Sequence, residues 1–260
     1  MLIPRVIPCL LIRETSLVKT TRFKNPQYIG DPINAVHIFN DMEVDEIVIL
    51  DISATHKGRK PDFKMIENLA GECFMPLSYG GGIRSLEDAR AILKIGVEKI
   101  ILNTVAFENP EFIRLAAKEF GSQSVLVSVD VKKVFLGKYQ VFVKGGRKGI
   151  GKDPVEYSKQ MQDLGVGEII LTSIDRDGTW EGYDIDLIKQ VASAVSVPVV
   201  ACGGAGCMAD FSEAVKIGGA SAAAAGSVFV YQGKDLGVLI NYPVRDEIEK
   251  VFLQMEGTAH

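Results

Sequence analysis

With 260 residues, 47% of them hydrophobic and 24% charged, the chain can fill one large core, and its net charge of −4 leaves no basic face for nucleic acid. Four cysteines with no C-x-x-C pair, three histidines and no ~18-residue apolar run argue against a disulfide framework, a clustered metal site and a membrane span. The opening MLIPRVIPCLLIRE lacks the n-region and cleavage site of a signal peptide, so the expectation is a soluble cytoplasmic protein using neither metal nor cofactor.

Strand-like runs at 6–11 and 46–51 flank an amphipathic stretch at 31–42. Runs at 75–79, 99–103 and 125–130 follow, with helical patterns at 86–94 and 110–119 between them. A helix at 153–164, a strand at 168–173, a helix at 184–194 and strands at 197–202 and 221–226 complete the alternation. Near-continuous β-branched and aliphatic runs mark strands buried on both faces, as a helix-covered parallel sheet requires. Eight such strands predict an α/β fold, the (β/α)8 TIM barrel, against a doubly wound open sheet as the competitor.

An internal repeat favours the barrel. GGIRSLEDARAILKIG at 81–96 resembles GGAGCMADFSEAVKIG at 203–218, and VDEIVILDISATHKG at 44–58 resembles VGEIILTSIDRDGTW at 166–180, both at an offset of 122. RVIPCLL at 5–11 resembles SVLVSVD at 124–130 at an offset of 119. One domain over 1–260, built from two similar half-barrels of about 1–121 and 122–260, is the expectation.

Barrel ligands sit at the C-terminal strand ends. Gly81 and Gly82 follow strand 3, and Gly203 and Gly204 follow strand 7 at the equivalent repeat position. Bare backbone permits close approach of an anion to amide groups, and Asn103, Thr104, Gly226 and Ser227 stand at matching places on strands 4 and 8. One such turn reads as a conformational need for glycine; two at equivalent positions predict a small-molecule substrate phosphorylated at both ends. At the opposite face, Arg5, Glu46, Lys99 and Glu168 begin strands 1, 2, 4 and 6 and would neutralise one another as a salt-bridge plug. His56 and the basic Gly-rich loop at 144–152 read as solvated, and Cys202 as a small buried thiol.

The motifs VIPCL, LDISATH, GGGIRSLEDAR, LTSIDRDGT, GYD and CGGAG resemble, across nearly the full length, the cyclase (HisF-type) subunit of imidazole glycerol phosphate synthase. The resemblance implies the half-barrel repeat, two phosphate sites and a HisH-like glutaminase on the opposite face whose ammonia traverses the barrel. It implies that Arg5, Glu46, Lys99 and Glu168 are an ammonia gate, that Asp177 and Gly178 contact phosphate, and that Lys19, Asp51 and Thr172 contact substrate. In that family two aspartates, ending strands 1 and 5, act as general acid and base.

Here Asp130 keeps the strand 5 position as the catalytic carboxylate, but the repeat register puts Leu11 at the end of strand 1. Leucine moves no proton. Glu14 in the following loop is the alternative acid, at the cost of rebuilt geometry. The chain therefore resembles HisF-like paralogues that work beside N-acetyl-sugar amidotransferases in surface-glycan (lipopolysaccharide) biosynthesis, where an acetamido group becomes an acetamidino group. That reading makes it a synthase- or lyase-type subunit whose partners are a HisH-like glutaminase and, since no Walker-type nucleotide motif is present, a separate ATP-dependent sugar amidotransferase. The alternatives are an authentic cyclase of histidine biosynthesis and a scaffold that activates its glutaminase by docking.

Overall fold

The computed structural model describes residues 3–253. Eight strands, Arg5–Arg13 (β1), Ile47–Asp51 (β2), Leu77–Gly80 (β3), Lys99–Leu102 (β4), Val125–Lys133 (β5), Glu168–Ser173 (β6), Val199–Cys202 (β7) and Ala222–Ala225 (β8), pair in parallel with their neighbours. β5 also pairs with β6, Thr172 lying opposite Asp130, and this closes the ring. The open doubly wound sheet is thereby excluded.

Helices Pro32–Asp41 (α1), Phe63–Glu72 (α2), Leu86–Ile95 (α3), Pro110–Phe120 (α4), Pro154–Asp163 (α5), Ile185–Ala192 (α6), Met208–Lys216 (α7) and Arg245–Leu253 (α8) cover the outside. Their starts follow local chemistry: the Asp31, Asp62 and Asp153 side chains accept hydrogen bonds from first-turn amides of Asn34, Met65 and Val155 at 2.9, 3.0 and 2.8 Å. One core lies between strands and helices, with Phe39, Ile47, Ile92, Val127, Ile169 and Phe211 fully buried. A second, smaller core fills the lumen with Ile7, Val48, Leu126, Ile170, Val200 and the small Ala222 and Ala224.

The repeat is visible in contacts as well as letters. Arg84 and Ser85 amides both donate to Asp88 Oδ2 at 3.2 Å, and 122 residues later Gly206 and Cys207 amides donate to Asp210 Oδ2 at 2.7 and 2.9 Å.

Two segments differ from the sequence expectation. The sequence expectation is a loop over 12–25 after strand 1; instead β1 runs on to Arg13, and residues 16–30 form a hairpin in which Ser16–Thr21 pairs with both β1 and Lys24–Gly30. Its turn holds Arg22 and Phe23 at φ 52° and 59°, a left-handed geometry that Asn-Gly or Asp-Gly ordinarily signals; neither is present. The loop at 144–152 is likewise partly ordered, Lys148–Gly149 pairing with Tyr139–Val143, which itself runs antiparallel to the end of β5.

Tyr183, Phe211, Phe229 and Tyr242 form a chain of rings with centroid separations of 6.0, 5.8 and 5.3 Å. Its ends bond to the barrel, Tyr183 donating to Ala224 O at 3.0 Å and Tyr242 to Val6 O at 2.8 Å. Phe211→Ala, in the middle, should cost about 3–5 kcal/mol of unfolding free energy by chemical denaturation; a loss below about 1 kcal/mol would show that the chain of rings contributes little.

Candidate active site

Burying a charge is tolerable only when it is paired and hydrogen-bonded. At the N-terminal end of the lumen the four charges predicted from strands 1, 2, 4 and 6 do meet. Arg5 donates to Glu46 Oε2 and to Glu168 Oε1, while Lys99 Nζ donates to Glu46 Oε1 at 2.9 Å and Glu168 Oε2 at 3.2 Å. Each carboxylate therefore touches both cations, in a closed ring of alternating charge, and Ser78 Oγ adds a bond to Glu46 Oε1 at 2.9 Å. Burial works against the Arg5 charge, but its contacts with Glu168 and Glu46 outweigh that and raise its pKa.

At the other end a cavity of about 740 Å³ opens over the strand termini. Of the residues predicted from sequence, Lys19, Asp51, Gly81, Gly82, Asn103, Thr104, Asp130, Thr172, Asp177, Gly203 and Gly226 line it; Gly178, Gly204 and Ser227 do not. Leu11 and Leu50 also face the cavity and lie side by side in the β1–β2 register.

The acids at this mouth are not equivalent. Asp177 is held by Lys19 Nζ at 2.8 Å and Thr20 Oγ1 at 3.1 Å, both donating to it, so its carboxylate answers a lysine before any phosphate. Asp51 Oδ1 accepts from Ser53 N, Ser53 Oγ and Ala54 N at 2.8, 2.7 and 3.0 Å, and Arg59 lies 3.5 Å from Oδ2. Asp130 has no cation among the described residues. Ser128 Oγ donates to it at 2.8 Å and Asn103 Nδ2 at 3.2 Å. Burial dominates and raises the Asp130 pKa to about 7, against the Ser128 hydrogen bond and with help from the Asp177 charge.

Glu14 does not replace the missing carboxylate. It points outward, more than half exposed, and pairs with Lys57. Leu11 thus faces the cavity with no acid beside it on β1.

The glycine turns satisfy a steric need of their own. A Cβ on Gly81, at φ +126°, would stand 2.5 Å from Asp51 O, and one on Gly204, at φ +122°, 2.2 Å from Gly182 O. Asn103 supports Asp130, and Thr104 Oγ1 accepts from Lys144 N at 3.1 Å. Sequence reasoning missed Arg13, Arg84, Arg147 and Ser128, all of which line the cavity. Arg13 carries no motif, while Arg84 sits in GGGIRSLEDAR and Arg147 in the basic loop at 144–152 without either residue being assigned a role; Ser128 was detectable, lying two residues before Asp130 on the same strand face. His56 lines the mouth, its Nδ1 3.2 Å from Ile52 O. Cys202 meets Cys9, whose thiol is pushed well up by that hydrogen bond and by burial. No three His, Cys, Asp or Glu side chains are grouped to hold a metal among the described residues, and none of the described helices is long and apolar enough to cross a membrane.

Fold and cavity define a (β/α)8 barrel with a polar mouth at the strand C-termini and a charge-closed base. The chain belongs to the histidine biosynthesis protein family, whose model matches residues 5–235. It is 50% identical over 239 residues to a Pseudomonas aeruginosa protein named "Putative imidazole glycerol phosphate synthase subunit hisF2", covering 92% of this chain and 95% of that one. A Leptospira interrogans protein carrying that description with "HisF" is 50% identical over 253 residues, 97% of this chain and all of the relative. The imidazole glycerol phosphate synthase subunit HisF of Alkaliphilus metalliredigens is 44% identical over 231 residues, 89% of this chain and 92% of its own.

Because the Asp130 pKa is raised, its contribution to stability is fully present below pH 3.8 and is lost as pH rises through about 7. Wild type should therefore lose up to about 4 kcal/mol relative to Asp130→Asn between pH 4 and 8. Parallel denaturation curves for the two proteins across that window would show that Asp130 ionises normally.

Proposed function

We propose that this chain is the ammonia-handling barrel of a glutamine-dependent amidotransferase system that amidinates an N-acetylated sugar, acetamido to acetamidino, in surface-glycan biosynthesis. The observation that carries the reading is Leu11 at the cavity wall where a second acid would stand, above an intact base ring. A glutaminase on the base supplies ammonia; the apolar lumen of Ile7, Val48, Leu126, Ile170 and the small alanines favours the neutral molecule over the ammonium ion. Glycine turns and the cations Lys19, Arg13, Arg84 and Arg147 suit a phosphorylated ligand at the mouth.

Ring closure to an imidazole needs one group that takes a proton and another that gives one. Asp130, with a pKa of about 7, can exchange a proton near neutrality; the leucine opposite can do neither. Amidination makes a smaller demand here. Ammonia forms a bond to the acetamido carbon, the carbonyl oxygen departs with its activating group, and the nitrogen releases a proton. Activation by ATP belongs to a separate amidotransferase, because this sequence has no nucleotide-binding motif.

The names of the relatives favour a second reading, an authentic cyclase of histidine biosynthesis. The two separate in an assay of the purified chain with a HisH-type glutaminase, or with ammonium salts, on the histidine-pathway nucleotide. We expect no appreciable ring closure by wild type and a large gain from Leu11→Asp; rapid closure by wild type, unimproved by Leu11→Asp, would establish the cyclase.

The ring gives an independent prediction. Lys99→Ala leaves Glu46 and Glu168 to share Arg5 and should destabilise the fold by about 3–5 kcal/mol. Glutamine-driven amidination should fall while amidination from added ammonium is retained. Equal loss from both nitrogen sources would assign the ring a structural role only.

A further inference from the structure

Between Asp130 and Asp153 the chain carries seven cations and no acid, in a protein whose net charge is −4. This excursion is the β5 hairpin, and it does not simply dissolve in solvent. Its root lines the cavity through Asp130, Lys144, Gly145 and Arg147. The rung beside its turn is braced on the segment leading into α6: Tyr139 Oη donates to Asp184 at 2.8 Å, Lys133 lies 3.4 Å from the same carboxylate, and Lys133 N donates to Asp175 at 2.8 Å. Its tip is apolar. Phe135 is 85% and Leu136 79% exposed, on a fixed turn closed by Val134 N to Lys138 O at 2.8 Å and Gly137 N to Val134 O at 3.0 Å.

Two of the seven cations pair with carboxylates, Lys133 with Asp184 and Lys144 with Glu108, and Lys148 Nζ lies over the Phe107 ring, 5.5 Å from its centroid. The other five, Lys132, Lys138, Arg147, Lys148 and Lys152, have no carboxylate within ion-pair distance among the described residues. Beside the tip lies a cleft of about 450 Å³ between the hairpin and α6, lined by Lys133, Gly137, Tyr139, Asp186, Lys189 and Ser193. An exposed aromatic and an aliphatic side chain, flanked in the chain by Lys132 and Lys138 and next to a recess, is the composition of a protein-docking element with an apolar anchor and charge-steered approach.

We propose that the β5 hairpin docks the protein that consumes the ammonia, through an acidic surface on that partner with an apolar recess for Phe135 and Leu136. This rests on the amidination reading above. Ammonia would emerge at the mouth, and a partner seated on the hairpin covers that mouth from the side where Asp130 stands. Net positive charge on this one element of an acidic protein selects an acidic partner and repels none of it.

The test uses the full-length chain with its glutaminase and, as probe, the purified ATP-dependent N-acetyl-sugar amidotransferase of the same organism. Phe135→Ser with Leu136→Ser alters only exposed side chains, so unfolding temperature and glutaminase activation should match wild type. A second variant, Lys132→Glu with Lys138→Glu, tests charge separately. We expect affinity for the amidotransferase to fall about tenfold or more in each, with glutamine-driven amidination falling in step and ammonium-driven amidination unchanged. Wild-type affinity and coupling in both variants would overturn the docking while leaving the amidination reading in place. A wild-type chain that supports no amidination at all would fell that reading, and the docking with it. Tip-dependent cosedimentation with vesicles containing anionic phospholipid, or a tip-dependent dimer of this chain, in place of amidotransferase binding, would also overturn it.

Discussion

Each acid buried along this barrel needs compensation, and how each obtains it determines what the molecule can do. Glu46 and Glu168 share Arg5 and Lys99, Asp177 has Lys19, and Asp51 has three donors and Arg59 nearby. Those contacts tie β1, β2, β4 and β6 at the base and seat the hairpin of residues 16–30 against the β6 end at the mouth. Removing one member would strand another charge in a poorly solvated place. Asp130 alone among these acids has no cation, and it is the one whose proton is held to near neutrality. Structural acids and the candidate reactive acid are therefore separated by their partners, not by their burial.

The same reasoning explains why Leu11 matters more than an ordinary apolar substitution. It lies on the cavity wall beside Leu50, and the neighbouring glutamate, Glu14, is turned outward onto Lys57. An acid introduced by sequence drift elsewhere at the mouth would still need a partner or a raised pKa to work as the second proton carrier. With Leu11 the mouth keeps its cations and its glycine turns, but the end of β1 offers no group there that exchanges a proton.

The barrel was legible in the sequence because eight β-branched runs must be buried on both faces and two long segments repeat at a fixed offset. The base ring was legible because charged residues open otherwise apolar strands. Other features left little trace. The turn of the 16–30 hairpin puts Arg22 and Phe23 in the left-handed region without a glycine to announce it, so tertiary contacts, among them Arg22 N to Asp177 O at 2.8 Å, determine it. Asn103 lines the cavity as a phosphate partner would, and its amide also donates to Asp130, a contact that depends on side-chain direction and leaves no trace in the sequence. The glycine turns were equally ambiguous, because backbone crowding at Gly81 and Gly204 demands glycine whether or not an anion binds.

A crystal structure of the chain with the histidine-pathway nucleotide bound probes the unpaired state of Asp130 most directly. We expect an aliphatic contact from Leu11 to the ligand on the side facing Asp130, with no carboxylate oxygen within hydrogen-bonding reach there. A rearranged Glu14, Asp51 or Asp177 carboxylate bonded to the ligand across from Asp130 would contradict it and restore the two-acid chemistry of a cyclase.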